Sequence, residues 1–129
     1  NPHELLIQGD GTQVLDFTYV TNAVEAFLVV AEQAALQGEV YNLGSGKPIS
    51  IGELARRICV AMDVAPRFVF SGEIGAGVSH YWSADIARLM SLGYTPRSTL
   101  AEGLEETVNW FRQDMKTPRV PVSNGPSRI

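Results

Sequence analysis

The chain has 129 residues, a length filled by one ordinary domain or by part of a larger one. Hydrophobic residues make up 45% of it and charged residues 19%, which excludes a disordered chain, and the net charge of −4 with scattered basic residues excludes a nucleic-acid surface. One cysteine, Cys59, excludes an internal disulfide and suits a reducing compartment, so a cytoplasmic location is expected. The longest apolar run, 26–31 (AFLVVA), is far too short to cross a bilayer. The opening Asn1-Pro2-His3-Glu4 lacks the basic-then-apolar order of a signal peptide, and a start on Asn1 instead of Met implies that upstream sequence has been removed.

In chain order, Glu4–Gln8 reads as a strand stopped by Gly9-Asp10-Gly11, a hairpin turn into a second extended piece over Thr12–Val20. Asn22, with Glu25 three residues on, reads as the N-cap of a helix over Ala23–Leu36 that Gly38 ends. Apolar residues run most of the way round this helix, so it expects cover on more than one side. Glu39–Leu43 (EVYNL) follows as a strand, and Ile51–Met62 as an amphipathic helix with Leu54, Ile58 and Met62 at i, i+4 and i+8. Arg56 and Arg57 fall on its solvated face and Cys59 on its buried side. Beyond Pro66 come a strand, Arg67–Phe70, a glycine-rich loop over Ser71–Gly77, and a short helix over Ser83–Leu92 closed by Gly93. Thr99 and Glu102 make a capping box for a last helix striped by Leu100, Leu104, Val108 and Phe111. The proline-containing 116–129 stretch reads as a flexible tail, and 1–115 as the folded region.

The order strand, Gly44-Ser45-Gly46 loop, helix imitates a phosphate-binding site. The third glycine position holds Ile49, however, and Ser50 and Glu53 have the spacing of a capping box, with Ile49 and Leu54 as its hydrophobic staple. A helix that carries its own carboxylate at the first turn repels phosphate, so a structural turn is favoured over a nucleotide cradle. The Gly72–Gly77 loop is separated from the next helical pattern by seven residues and opens no helix. No Tyr is followed by Lys four residues on, and His3 and His80 are too few for a metal site, so neither catalytic nor metal-binding residues are assigned.

Three stretches, 9–27 (GDGTQVLDFTYVTNAVEAF), 38–55 (GEVYNLGSGKPISIGELA) and 83–112 (SADIARLMSLGYTPRSTLAEGLEETVNWFR), resemble in order and spacing the carboxy-terminal part of the NAD-dependent epimerase/dehydratase family, the extended short-chain dehydrogenases that modify nucleotide sugars. The resemblance implies an α/β fold: a carboxy-terminal substrate-binding portion that lacks the Rossmann half. In that family the glycine fingerprint, the Tyr-x-x-x-Lys dyad and the NAD or NADP site belong to the amino-terminal half, so this chain is expected to bind no cofactor and to be non-catalytic by itself. The family's Arg-Asp-Phe/Tyr appears as Leu15-Asp16-Phe17, and its Arg-Pro-Gly-Asp falls on Ile74-Gly75-Ala76-Gly77, so two arginines that commonly hold the diphosphate are replaced. By the resemblance, Gln13, Leu15, Phe17, Ile74 and Gly77 are the substrate-side positions, a nucleotide sugar is the ligand, and the partner of the helix at 23–36 is the amino-terminal half or a second copy. A non-catalytic binding or self-assembling module, or a decayed remnant, derived from that family is the alternative.

Overall fold

The structure is a computed structural model and describes residues 3–72 and 79–116. Its elements are β1 (Glu4–Ile7), β2 (Val14–Leu15), α1 (Val20–Gln33), β3 (Ile49–Ser50), α2 (Ile51–Met62), β4 (Arg67–Phe70), α3 (Ala87–Met90) and α4 (Leu100–Asp114). β1 and β4 pair in parallel, Glu4 opposite Arg67 through Ile7 opposite Phe70, and β2 pairs antiparallel with β3. A parallel pair needs a long crossover, and everything from β2 to α2 lies within it. α2 packs along α4, where the Arg112 guanidinium donates to the Met62 carbonyl at 3.0 Å. Among the described residues no helix is long and apolar enough to cross a membrane.

Several expectations change in three dimensions. Gly9-Asp10-Gly11 is not a hairpin turn, because β1 takes β4 and not β2 as its partner. Instead the Asp10 carboxylate accepts from the Thr12 N–H at 2.8 Å and the Thr12 hydroxyl at 2.7 Å, turning the chain locally. Of the extended piece over 12–20 only Val14–Leu15 enters a ladder. The helix expected over Ser83–Leu92 shrinks to α3, since Ser83–Ile86 approach it in a non-helical path.

Asn22 does not cap α1. The helix begins one turn earlier, behind Tyr19, and Asn22 lies inside it, 2% exposed. Its side chain is committed elsewhere: Oδ1 accepts from the Arg97 and Ser98 N–H groups at 3.1 and 3.0 Å, and Nδ2 donates to the Ser98 carbonyl at 2.8 Å. Buried amides demand such satisfaction, and here it ties α1 to the segment that leads into α4. α4 itself starts on the expected capping box, with the Thr99 hydroxyl accepting from the Glu102 N–H and the Glu102 carboxylate from the Thr99 N–H. Gly103 lets α4 approach α1's entry, since a Cβ there would stand 2.8 Å from the Tyr19 ring.

The core is small: Ala26 of α1, Leu89 of α3 and Tyr94, with Val29, Val30, Tyr41 and Leu43 packed against them. α1 meets it with the face that carries Asn22 and Ala26. On the opposite face Val20, Val24 and Phe27 recur at i, i+4 and i+7 and are 52–70% exposed. Glu39–Leu43 is no strand here. Tyr41 and Leu43 turn inward while Val40 and Asn42 face out, the alternation of a strand, but no described residue lies alongside to form a ladder. The Arg88 guanidinium holds the segment from one side, 4.9 Å over the Tyr41 ring and bonded to the Val40 carbonyl at 3.1 Å.

One carboxylate joins the remaining pieces. Asp16, just past β2, accepts from the Ser45 N–H at 2.7 Å and the Ser45 hydroxyl through Oδ1, and from the Gly46 N–H at 3.1 Å and the Ala84 N–H at 3.4 Å through Oδ2. Gly44 is required beside it, since a Cβ there would stand 2.5 Å from Oδ2 and 2.7 Å from the Ala84 Cβ. Removing the carboxylate in Asp16→Ala leaves the half-buried N–H groups of Ser45 and Ala84 and the exposed one of Gly46 without their acceptor, and a loss of about 2 kcal/mol is expected in urea unfolding with an unchanged m-value. A second expectation concerns acid. The backbone N–H of Thr99, then its hydroxyl, hold the Glu102 carboxyl below its ordinary 4.5. A depressed carboxyl contributes stability that is full above its unfolded value and lost as pH falls through its folded value, so Glu102→Gln should flatten part of the stability loss seen below pH 4.5.

Candidate functional site

The loop at Gly44–Gly46 and the start of α2 are where sequence order suggests a nucleotide, so their N–H groups decide the question. At the helix, the Ile51 N–H donates to the Gln13 carbonyl at 2.8 Å, the Gly52 N–H to the Gly11 carbonyl at 3.0 Å, and the Glu53 N–H to the Ser50 hydroxyl at 3.1 Å. The first three donors of α2 therefore have protein acceptors. Ser50 caps as expected, but Glu53 does not reach back to it. Its carboxylate turns to Arg57 at 2.8 Å and Arg56 at 3.4 Å, and the Arg57 hydrogen bond holds its pKa below the usual carboxylate range. In the loop, the N–H groups of Ser45 and Gly46 take Asp16. The loop thus binds an anion, and the anion is a side chain of the same chain.

Of the expected substrate-side residues, β2 carries Leu15, with Gln13 and Phe17 to either side of it in sequence. Leu15 sits in the ladder opposite Ile49, half buried, and Gln13, next to the ladder, gives its carbonyl to α2. Phe17 lies farther along and lines an apolar crevice of about 190 Å³ with Leu54, Ile58 and Leu104. Ile74 and Gly77 lie outside the described residues, as does the tail beyond residue 116.

The other side of β2 was not read from the sequence. Val14 donates its N–H to the His80 carbonyl at 2.9 Å and accepts from the Trp82 N–H at 2.9 Å, forming a parallel bridge to Tyr81. The segment following the Gly72–Gly77 loop is thereby fixed against the strand that carries Leu15. It presents two exposed aromatic side chains, Tyr81 at 63% and Trp82 at 70%. Trp82 borders a cavity of about 220 Å³ with Asp16, Asn42, Ser83 and Asp85. The signal in the sequence was an aromatic pair, Tyr81-Trp82, three residues beyond the glycine-rich stretch that ends at Gly77. The wider valley between α2 and α4, about 500 Å³, is walled by Val60, Ala61 and Leu104 and edged by Arg56 and Arg57, whose charges are paired with Glu53. Glu105 is the fourth charged residue of its lining, beside Val60, Ala61, Ala101 and Leu104.

Among the described residues no three His, Cys, Asp or Glu side chains converge as metal ligands. Cys59 is buried, and His80 is exposed on its loop. The arrangement can present a short strand, a loop and aromatic rings to a ligand.

Known proteins of this architecture supply the context. A model of the NAD dependent epimerase/dehydratase family matches residues 1–44. The UDP-glucuronate 4-epimerase of Thermodesulfobacterium geofontis is 33% identical over 112 residues, covering 85% of this chain and 34% of that protein. The UDP-N-acetyl-alpha-D-glucosaminuronate decarboxylase of Bacillus cytotoxicus is 32% identical over 116 residues, covering 85% and 36%. Among solved structures, the UDP-glucuronic acid 4-epimerase of Bacillus cereus in complex with UDP-glucuronic acid and NAD superposes with a TM-score of 0.76 at 28% identity, over 85% of this chain and 35% of that one. The epimerase Mth375 of Methanothermobacter thermautotrophicus gives 0.80 at 27%, over 88% and 34%. The chain spans about a third of the length of these relatives. Over most of its own length the chain is similar in sequence and in fold to proteins of the NAD-dependent epimerase/dehydratase family, whose model matches its first 44 residues.

Proposed function

We propose that the chain is the carboxy-terminal, nucleotide-sugar-binding portion of an NAD(P)-dependent sugar-nucleotide epimerase/dehydratase and is not catalytic by itself. The observation that carries this reading is the superposition on an epimerase that binds UDP-glucuronic acid and NAD, which uses 85% of this chain but 35% of that enzyme. NAD or NADP supplies the hydride chemistry, transient oxidation at a sugar carbon, and is held by the amino-terminal half. The closed start of α2 supports the division, because its first three N–H groups and those of Ser45 and Gly46 in the loop are spent on protein acceptors.

This chain's own contribution is to the substrate. Gln13, Leu15 and Phe17 on and around β2, with Ile74 and Gly77 of the following loop, are the proposed substrate-side positions. The bridge from Val14 to Tyr81 supports grouping the strand with that loop, since it anchors the loop's downstream end beside Leu15. The exposed apolar face of α1 favours a second reading, a self-assembling module, because such a face invites a partner.

The two diphosphate-holding arginines of the family are absent at Leu15 and Ile74, and a charge-assisted hydrogen bond is worth about 1.5–3 kcal/mol. Calorimetric titration of the isolated chain with UDP-, GDP- and dTDP-sugars is therefore expected to show weak binding or none, and a micromolar dissociation constant would overturn this view of the site. Leu15→Arg should strengthen binding of a UDP-sugar about tenfold or more, as one such bond implies. An affinity unmoved by that substitution would remove Leu15 from the substrate side.

A further inference from the structure

The valley between α2 and α4 divides its charge between its two walls. The α2 wall carries Arg56 and Arg57 with Glu53, one positive charge in net, and the α4 wall carries Glu105, one negative charge. Between the walls lies an apolar floor of Val60, Ala61, Ala101 and Leu104, and Val60, at 80%, is the most exposed large hydrophobic of the described residues. Arg57 is held to Glu53 at 2.8 Å, whereas Arg56 reaches the same carboxylate only at 3.4 Å and keeps 60% of its side chain exposed. Glu105 has no hydrogen-bond or ion-pair partner among the described residues. A cation with donors to spare on one wall therefore stands across an apolar floor from an unpartnered carboxylate on the other.

We propose that this valley is an interface between two copies of the chain related by a two-fold axis, in which Arg56 of each copy meets Glu105 of the other. The proposal does not depend on the role of the chain toward nucleotide sugars. Charge complementarity chooses the occupant. A two-fold axis laid across the valley sets the positive wall of one copy against the negative wall of the other, and does so twice, so that this one surface is its own complement. The chain as a whole carries −4, which makes copies repel, but the two cations and two anions of the valley cancel, so this approach escapes the repulsion. The floor suits the same arrangement. Ala61 and Ala101 are small enough to let the helices of a second copy come close, and the two helix pairs together enclose Val60 and Leu104 of both copies as the centre of a four-helix layer. Val20, Val24 and Phe27 of α1 do not line the valley, so the apolar face of that helix is a separate surface.

Sedimentation equilibrium of the full chain tests this, with Phe27→Asp, at a position 70% exposed, as the background that keeps the α1 stripe from associating. A monomer–dimer equilibrium is expected. A single monomeric species at about 1 mM, the weak end of specific association, would overturn the proposal. So would growth beyond the dimer, since a two-fold contact closes at two copies. Val60→Glu places a charge on the floor and should raise the dissociation constant about tenfold or more. Glu105→Arg and Arg56→Glu should each raise it about tenfold, because each sets two like-charge pairs across the axis. Combined in one chain, the two charge reversals should return it to near the starting value, because both pairs are then restored with their signs exchanged. That recovery is a readout that damage to the fold cannot produce. Additive losses in the combined variant, or a dissociation constant indifferent to Val60→Glu, would put the contact elsewhere and overturn the proposal.

Discussion

The carboxylate of Asp16 is the constraint from which the rest of the chain takes its arrangement. It stands just past a strand of two residues, which has little stability of its own, and binds backbone from two distant segments, Ser45–Gly46 and Ala84. β2 thereby gains what a short ladder cannot supply, a fixed position relative to the loop before α2 and the approach to α3. The glycines on the loop follow from the same contact, since Gly44 leaves room for Oδ2 and Gly46 takes a φ of +68°. A loop of this composition looks like a phosphate cradle because its chemistry is that of one: N–H groups converging on negative charge. Here the charge is covalently attached to the chain, and the site is filled by folding.

Asn22 works in the same way at the other end of the core. Both residues satisfy backbone groups that no regular element would satisfy, and both do so across more than twenty-five residues of sequence. This explains which features were legible. Local devices showed in the sequence: the Thr99–Glu102 box, the Ser50 cap, the burial of Cys59 beneath a solvated Arg56–Arg57 face, and the extent of α2. Asn22 also carried a local signal, a plausible cap spacing, and it misled because a buried amide is assigned by the groups that reach it in three dimensions. The Glu53 carboxylate misled for a smaller reason, since two arginines at i+3 and i+4 offer it charge where the Ser50 N–H offers only a dipole.

Strand pairing was the least legible level. β1 and β4 are separated by the whole crossover, and nothing in four residues of either names the other. Glu39–Leu43 shows the reverse case, in which burial along 40–43 alternates as in a strand and no ladder forms among the described residues. Propensity there reports a fit to a pleated, half-buried surface, and half of that surface is present in Tyr41 and Leu43 on the core. The substrate side was legible only through motif resemblance; periodicity found Leu15 as a strand residue but gave no hint that Tyr81 and Trp82 would lie beside it.

The distribution of burial then separates folding from function. Among the described residues seven hydrophobic ones are buried, while fifteen large ones are substantially exposed, Val20, Val24 and Phe27 on one face of α1 among them. A core centred on Ala26, Leu89 and Tyr94 is small for a chain of this length, and the Tyr94 hydroxyl within it has no hydrogen-bond partner among the described residues. Burial accordingly pushes the Tyr94 phenol above its ordinary value. Six of the fifteen exposed hydrophobics, Val20, Val24, Phe27, Leu28, Leu36 and Val40, lie between residues 20 and 43, inside the stretch that the family model matches. The polar network around Asp16, by contrast, is complete without help. The chain thus couples a self-satisfied anchor, which sets β2 and its loops, to an apolar helix face that no described residue covers.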